Sequence, residues 1–257
     1  MSDPAAPTII PAATVVIFRH AAAGGAPELL MVQRSREMRF AGGATVFPGG
    51  RIDPADFELA RALAPDADVD EAAARIAAVR ETLEETGLML GLDHPIAADE
   101  ASAARALLLE QGALSPVLAQ FGWTLTLDRL IPFARWCPRH DRAFDTRFYL
   151  ADLGTGAVEV TVDQTENTRL FWASATQALE LADAGKISVI FPTRRNLERL
   201  ALFTHFTAAR SHAEAIPVGL IEPVHEEIDG ETWLVIPDHA EHGYPVRGQP
   251  RASAKRG

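Results

Sequence analysis

Cysteine is almost absent from this sequence, since Cys137 is the only one among 257 residues. A single cysteine excludes an internal disulfide framework and a four-cysteine zinc site, and it fits a reducing compartment. No apolar run reaches the roughly 18–20 residues that a helix needs to cross a bilayer. The first residues also lack the basic segment and apolar run of a secretory signal. We therefore expect a cytoplasmic protein without a membrane partner.

Basic residues are scarce as well. The chain has 24 lysine and arginine residues against 35 aspartate and glutamate residues, which gives a net charge of −11. Such an acidic field repels a phosphate backbone, so the composition disfavours nucleic acid as a partner. It still permits a small anionic substrate whose charge is offset by a metal ion or by local arginines. The ends depart from this pattern, because residues 1–11 predict a flexible lead-in and residues 247–257 a basic, flexible tail.

Repeats of 20–50 residues are missing too, which argues against a solenoid or a propeller. Short apolar runs predict strands, and longer periodic runs predict helices. The predicted strands are 13–19, 28–33, 45–47, 130–136, 146–151 and 168–172, and the main predicted helices are 71–86, 174–184 and 193–213. The dipeptide Asp229-Gly230 predicts the turn of a late hairpin. We expect one α/β domain over residues 12–246, with helical insertions at about 53–70 and 97–121.

The predicted helix of residues 71–86, with Asp70 as its cap, carries three glutamates close together. Glu81, Glu84 and Glu85 fall within an arc of about 100°. Like charges on one side of a helix repel one another, and a hard cation such as Mg²⁺, which prefers carboxylate oxygens, would remove that cost. An acidic helix face is more often a solvated surface, so this pattern alone leaves both interpretations open.

The residues around these glutamates, RETLEETGL at 80–88, resemble the second half of the Nudix box. That half reads arginine-glutamate, two residues, glutamate-glutamate, one residue, glycine and an aliphatic residue. The usual box has a glycine 14 positions before the arginine, whereas Gly50 lies 30 positions before Arg80. The box is therefore interrupted, and the insertion lies within residues 53–70. The resemblance implies a Nudix-type α/β/α sandwich with a mixed sheet, helical insertions and a C-terminal extension.

One position departs from the box, which has another glutamate eight residues before the arginine. Ala72 stands at that place, and Glu71 is one position away. Glu71 is therefore a candidate replacement if the insertion shifts the start of the helix.

A second motif lies upstream and consists of Arg34, Arg39, Gly43 and the sequence FPGG at 47–50. Its spacing resembles the motif that accompanies the box in Nudix coenzyme A diphosphatases. Coenzyme A carries a diphosphate and a 3′-phosphate, which the two arginines would pair with. Gly49 and Gly50 would let the backbone approach the phosphates closely. The alternative is that both arginines lie in a loop and balance local acids.

The resemblance also implies the cofactor, two or three Mg²⁺ or Mn²⁺ ions that bridge a diphosphate. Glu81, Glu84 and Glu85 would be the metal ligands, and Arg80 would orient Glu81. Members of this family often take a further carboxylate from a loop outside the box, and Glu166 is our candidate for this catalytic role.

Other candidates are weaker. Asp163 is the second choice for the loop carboxylate. His140 and Trp136 are candidate substrate contacts, although a surface histidine and a core tryptophan are the commoner interpretations.

These observations lead to one main functional prediction and two alternatives. The main prediction is cleavage of coenzyme A or acyl-coenzyme A to 3′,5′-ADP and (acyl-)4′-phosphopantetheine. The first alternative is a Nudix hydrolase of another nucleotide, such as ADP-ribose or NADH. The second is a regulator that senses a nucleotide without turning it over, against which the intact box glutamates count. A homodimer is the default assembly.

Overall fold

The structure is a computed structural model that describes residues 8–20, 24–35, 37, 41–139, 142–155 and 167–254. In these residues the strands are β1 (Thr8–His20), β2 (Glu28–Arg34), β3 (Thr45–Val46), β4 (Gly49–Arg51), β5 (Ile131–Trp136), β6 (Arg142–Thr155), β7 (Asn167–Ser174), β8 (Leu220–Ile221), β9 (Val224–Ile228), β10 (Glu231–Val235) and β11 (Gly248–Pro250). The α-helices are α1 (Pro54–Leu63), α2 (Val69–Thr86), α3 (Ala98–Gln111), α4 (Leu114–Phe121), α5 (Ala175–Asp183), α6 (Phe191–Leu200) and α7 (Phe206–Ala215).

A mixed sheet forms the middle of the molecule. Its strand order is β3-β2-β1-β6-β5-β8, with β4 also paired to β1 and β7 also paired to β2. The central neighbours β1 and β6 run parallel, as do β5 and β8, whereas β2 is antiparallel to β1, β3 and β7. A separate three-stranded sheet has the order β11-β10-β9.

Helices cover both faces of the large sheet, because side chains of the central strand alternate between two cores. Val15 and Ile17 of β1 pack in the core that contains α2, α3 and α4. Val16 and Phe18, the alternate residues, pack in the core that contains α5, α6 and α7. The predicted α/β/α sandwich with a mixed sheet is thereby confirmed. In the described part of the chain, no helix is both long and apolar enough to cross a membrane.

Helix α2 runs along one face of the sheet and is rich in buried alanine, which brings its backbone close to β1 and β4. It starts two residues earlier than predicted. The side chain of Asp68, not Asp70, caps it by accepting hydrogen bonds from the backbone N–H groups of Asp70 and Glu71. Gly87 ends it in the left-handed conformation, with φ of 76°.

The two predicted insertions are helical and belong to the same core. Residues 53–70 supply α1, which packs against α2 and buries Ala60. Residues 97–121 supply α3 and α4, which bury Leu108 and Val117 in that core.

The late hairpin was predicted correctly. Strands β9 and β10 pair antiparallel around Asp229 and Gly230, whose φ angles are 52° and 80°. Two successive residues with positive φ are typical of the tight turn that matches the twist of a hairpin.

Three further differences from the sequence predictions concern the ends of the chain and one helix. The prediction of a flexible lead-in over residues 1–11 is wrong for residues 8–11, which lie in β1 and pair with β6. The prediction of a flexible tail over residues 247–257 is wrong for Gly248–Pro250, which forms β11 beside β10. The helix predicted over residues 193–213 is two helices, because α6 ends at Leu200 and His205 caps α7. Each difference depends on a pairing partner or a cap that local periodicity does not show.

The two candidate caps of α2 make a matched pair for a stability measurement. We expect Asp68→Ala to lower the free energy of unfolding by about 1 kcal/mol, because it removes the acceptor for two N–H groups. Asp70→Ala removes only a first-turn charge and should cost less than about 0.5 kcal/mol. Urea denaturation of both variants checks this, and equal losses would contradict the assigned cap.

Candidate active site

The last turns of α2 face the chain at β4, and two glycines allow the close approach. A Cβ added at Gly50 would lie only 2.3–2.5 Å from the carboxyl atoms of Glu81. A Cβ added at Gly49, whose φ is 153°, would lie 2.3 Å from the carbonyl oxygen of Ala13. No larger residue fits either position without displacing its neighbours. The FPGG motif at 47–50 and helix α2, which are far apart in sequence, therefore pack closely against each other.

Glu85 is the most enclosed of the three glutamates, with 5% of its surface exposed. The backbone N–H of Gly49 donates to its Oε2 at 3.0 Å, and the Nδ2 of Asn167 donates to its Oε1 at 3.1 Å. Burial raises the pKa of Glu85 to about 8, and the charge of Glu81 adds to this effect against the two hydrogen bonds. Glu85 is thus a carboxylate that the fold orients firmly but stabilises poorly as an anion.

Glu81 and Glu84 share contacts with one arginine. The Nη1 of Arg80 donates to Oε1 of Glu81 at 2.9 Å and lies 3.5 Å from Oε2 of Glu84. Burial raises the pKa of Glu81 to about 7, although the charge of Arg80 lowers it. Glu84 is the most exposed of the three, and its charge raises the pKa of Glu81 further.

Arg80 is buried, and an aspartate of α1 accounts for its position. Its Nε lies 3.1 Å from Oδ1 of Asp56, and its Nη2 lies 3.1 Å from Oδ2 of the same residue and 2.8 Å from the carbonyl oxygen of Arg51. Asp56 is itself 1% exposed and lies in the first turn of α1. Burial opposes the charge of Arg80, but the hydrogen bond to Asp56 and the charge of Glu81 raise its pKa above the usual value. Arg80 therefore stays a cation inside the protein.

Sequence reasoning missed Asp56, although a signal for it existed. The usual box distances place the first acid six residues after the glycine, and Asp56 is six residues after Gly50. Counting back eight residues from Arg80 gives Ala72 instead. The reason is that the extra residues lie between the acid and Arg80, and not between Gly50 and the acid. Asp56 therefore occupies the place for which Glu71 was proposed.

Glu71 is not part of this cluster, so its candidacy was wrong. It lies in the first turn of α2, ten residues before Glu81. There it accepts a hydrogen bond from the hydroxyl of Tyr149 at 3.0 Å and lies within 3.5 Å of Arg75 and Arg147. About 15 Å of helix separates Glu71 from Glu81, since each residue adds 1.5 Å.

The pairing of β2 with β7 brings Arg34 near Glu85. Arg34 ends β2 and lies opposite Asn167, the first residue of β7. Its positive charge lowers the pKa of Glu85 and so partly offsets the effect of burial. Asn167 was not predicted, and its Oδ1 is buried without a hydrogen-bond partner among the described residues. No local sequence pattern identifies Asn167, because its role comes from the pairing of β7 with β2.

The remaining predicted residues divide into two groups. Trp136 is 1% exposed and donates its Nε1 hydrogen bond to the hydroxyl of Tyr244 at 3.1 Å, so it is a core residue and not a substrate contact. Arg39, His140, Asp163 and Glu166 lie outside the described residues.

The chemistry of this cluster fits a divalent cation. Its three glutamates offer hard oxygen ligands at one end of a helix, and two of them have pKa values raised towards neutrality. Within the described part of the chain, no three acidic, histidine or cysteine side chains already converge on one point. Glu81 and Glu84 instead contact Arg80, and Glu85 contacts Gly49 and Asn167.

Comparisons with known proteins agree with this geometry. Residues 9–193 match the family model of the NUDIX domain. The chain is 28% identical over 233 residues to acyl-coenzyme A diphosphatase NUDT19 of Gallus gallus, a match that covers 69% of this chain and 62% of that relative. It is also similar to the crystal structure of a NUDIX hydrolase from Alicyclobacillus acidocaldarius, with 31% identity, a TM-score of 0.68, and coverage of 80% of this chain and 96% of the other.

The buried pair of Arg80 and Asp56 gives a prediction about stability. Asp56→Asn leaves a buried guanidinium without its carboxylate, which should cost about 3–5 kcal/mol of unfolding free energy. Asp53→Asn is the matched control, since Asp53 lies 3.6 Å from the same Nη2 but is half exposed, and its loss should cost less than about 1 kcal/mol. Chemical denaturation measures both, and a small loss in Asp56→Asn would contradict the account.

The raised pKa of Glu85 predicts a pH-dependent stability in the absence of divalent cations. A folded-state pKa of about 8, above the ordinary 4.5, means that stability falls as pH rises from about 4.5 and levels off above about 8. Glu85→Gln should therefore exceed the wild type in unfolding free energy by more than about 1 kcal/mol at pH 8.5 in EDTA, and by less at pH 5. Exposed Glu180→Gln on α5 is the control. Adding Mg²⁺ should stabilise the wild type and not Glu85→Gln, whereas a pH-independent difference would contradict the prediction.

Proposed function

The chain belongs to the NUDIX domain family, and on that premise we propose that it is a metal-dependent diphosphatase of coenzyme A or acyl-coenzyme A. The products would be 3′,5′-ADP and 4′-phosphopantetheine or its acyl derivative. One observation carries the proposal: Glu85 and Glu81 are enclosed carboxylates with raised pKa values, placed against Gly49 and Gly50. Such an arrangement destabilises the fold unless a cation compensates it, so function is the better explanation of its presence.

Glu81, Glu84 and Glu85 are the residues that would hold Mg²⁺ or Mn²⁺. When bound, the ions would neutralise charge on the diphosphate and lower the pKa of a coordinated water. Arg80 already contacts Glu81 and Glu84, so it would orient both carboxylates as they turn towards a cation. In this proposal the loop carboxylate Glu166 completes the catalytic set.

The other residues of the cluster position these ligands. Asp56 fixes the guanidinium of Arg80 from the opposite side, so that Arg80 cannot withdraw from the glutamates. The N–H of Gly49 and the amide of Asn167 each occupy one oxygen of Glu85, which restricts its rotation. These contacts hold the carboxylates near their working positions before any substrate binds.

Substrate recognition is assigned to the upstream motif. Arg34 lies at the end of β2, close enough to Glu85 for its charge to lower that residue's pKa. We therefore propose that Arg34 pairs with the 3′-phosphate of coenzyme A, and that Arg39, which lies outside the described residues, contacts a substrate phosphate as well. The similarity to an acyl-coenzyme A diphosphatase supports coenzyme A as the substrate class.

The activity is tested by identifying products by mass spectrometry with Mg²⁺ and then Mn²⁺. The substrates are coenzyme A, acetyl- and long-chain acyl-coenzyme A, ADP-ribose and NADH. We expect 3′,5′-ADP from the coenzyme A substrates, none from Glu84→Gln or Glu85→Gln, and unchanged rates in Glu180→Gln. Cleavage of only ADP-ribose or NADH would contradict the substrate, and near-normal rates in both glutamate variants would contradict the metal site.

The role of Arg34 has its own test, a comparison of coenzyme A with 3′-dephospho-coenzyme A. If Arg34 pairs with the 3′-phosphate, Arg34→Gln should lower kcat/KM for coenzyme A by roughly 10- to 100-fold, since a charge-assisted hydrogen bond contributes about 1.5–3 kcal/mol. The effect on 3′-dephospho-coenzyme A should be much smaller. Arg210→Gln, at an exposed position of α7, is the control. Equal losses on both substrates would show that Arg34 does not read the 3′-phosphate.

A further inference from the structure

The C-terminal end of α2 is an unfavourable place for carboxylates. The aligned peptide dipoles of a helix give its last turn a partial negative charge, which repels anions and attracts cations. Glu84 and Glu85 lie in this last turn, and the turn itself contains no basic residue. A cation that compensates the backbone at this end must therefore come from another part of the chain.

The hydrogen bonds at the end of α2 show where an outside donor is needed. The N–H of Gly87 donates to the carbonyl oxygen of Leu83 at 3.0 Å. The N–H of Leu88 would reach the carbonyl oxygen of Glu84 in a longer helix, but it donates to the hydroxyl of Thr86 at 3.1 Å. The last carbonyl groups of a helix need such replacement partners, which side chains often supply.

Arg105 of α3 supplies the donor for Glu84. Its Nε donates to the carbonyl oxygen of Glu84 at 2.9 Å, although the two residues are 21 positions apart. Arg105 is partly buried, and Ala104 and Leu108 of the same helix are buried in the core that contains α2. Because this packing anchors α3, the guanidinium is held against the last turn of α2.

A second arginine makes the same kind of bond away from the glutamates. The Nε of Arg75, which lies on α2, donates to the carbonyl oxygen of Leu130 at 3.2 Å, and this bond is partly buried as well. Arg75 precedes Glu81 by six residues, which corresponds to roughly 9 Å of helix. It therefore provides a matched reference for what an arginine–carbonyl bond contributes to the fold alone.

We propose that Arg105 is a positioning residue of the metal site, through which α3 sets the affinity for the divalent cation. The inference rests on the proposed function, because it concerns the same metal ligands. The carbonyl that Arg105 holds belongs to the peptide group between Glu84 and Glu85, so this bond fixes the backbone from which both carboxylates extend. Partners that orient metal ligands in this way change metal affinity by about 10- to 100-fold.

Position and charge act on metal binding in opposite directions. The positive charge of Arg105 repels a divalent cation, so a role through charge alone predicts tighter binding once Arg105 is removed. A role through position predicts weaker binding, because the last turn of α2 loses a donor and the two carboxylates lose their fixed backbone. A purely structural role predicts lower stability with unchanged affinity.

The test is titration of the whole protein with Mn²⁺ alone, without nucleotide, followed by electron paramagnetic resonance of the free ion. We expect Arg105→Met to weaken Mn²⁺ binding at least tenfold and Arg75→Met to bind like the wild type. Unchanged or tighter binding in Arg105→Met, or an equal loss in Arg75→Met, overturns the role of Arg105 and leaves the proposed metal site intact. Absence of Mn²⁺ binding in the wild type overturns the metal site, and this inference with it.

The conservative variant Arg105→Lys keeps the charge and one flexible donor, so it should bind Mn²⁺ with an affinity between those of the wild type and Arg105→Met. Urea denaturation of each variant shows that the measured affinities belong to folded protein. Should Arg105→Met not fold, Arg105→Lys decides, and wild-type affinity in that variant overturns the proposal.

Discussion

The buried guanidinium of Arg80 is the contact on which the arrangement of the glutamate cluster depends. It joins Asp56 of α1, the backbone of β4 at Arg51, and the glutamates at the end of α2. Without this cation, several acids of different origin would lie close together inside the protein with nothing to oppose their repulsion. The helices α1 and α2 and the strand β4 are thus held together by one charged side chain.

The positive charge near the glutamates does not fully offset the cost of burying them. Arg80 and Arg34 supply positive charge, yet Glu81 and Glu85 still have pKa values raised to about 7 and about 8. A fold selected for stability alone would place apolar residues there. The two enclosed glutamates instead suit a site that is completed by a divalent cation, which a hydrolase of a highly charged diphosphate needs.

Local patterns in the sequence account for much of this structure. The six predicted strands, the hairpin at Asp229 and Gly230, and the end of α2 at Gly87 depend on neighbours in the chain, and they occur close to where local rules place them, whereas β4, β8 and β11 were not predicted. Asp56 and Asn167 depend on distant partners. An insertion concealed the spacing of Asp56, and Asn167 reaches Glu85 only because β7 pairs with β2. Pairing also explains why residues 8–11 are a strand.

The central claim is that the acidic end of α2 is a divalent-cation site. The most direct measurement is a crystal structure of the protein with Mn²⁺, in which anomalous scattering locates the ions independently of any assumption about ligands. The account predicts ions coordinated directly by oxygens of the cluster of Glu81, Glu84 and Glu85, with Arg80 still bound to Asp56. Ions bound elsewhere, for example at Glu71, with none at that cluster, would contradict it.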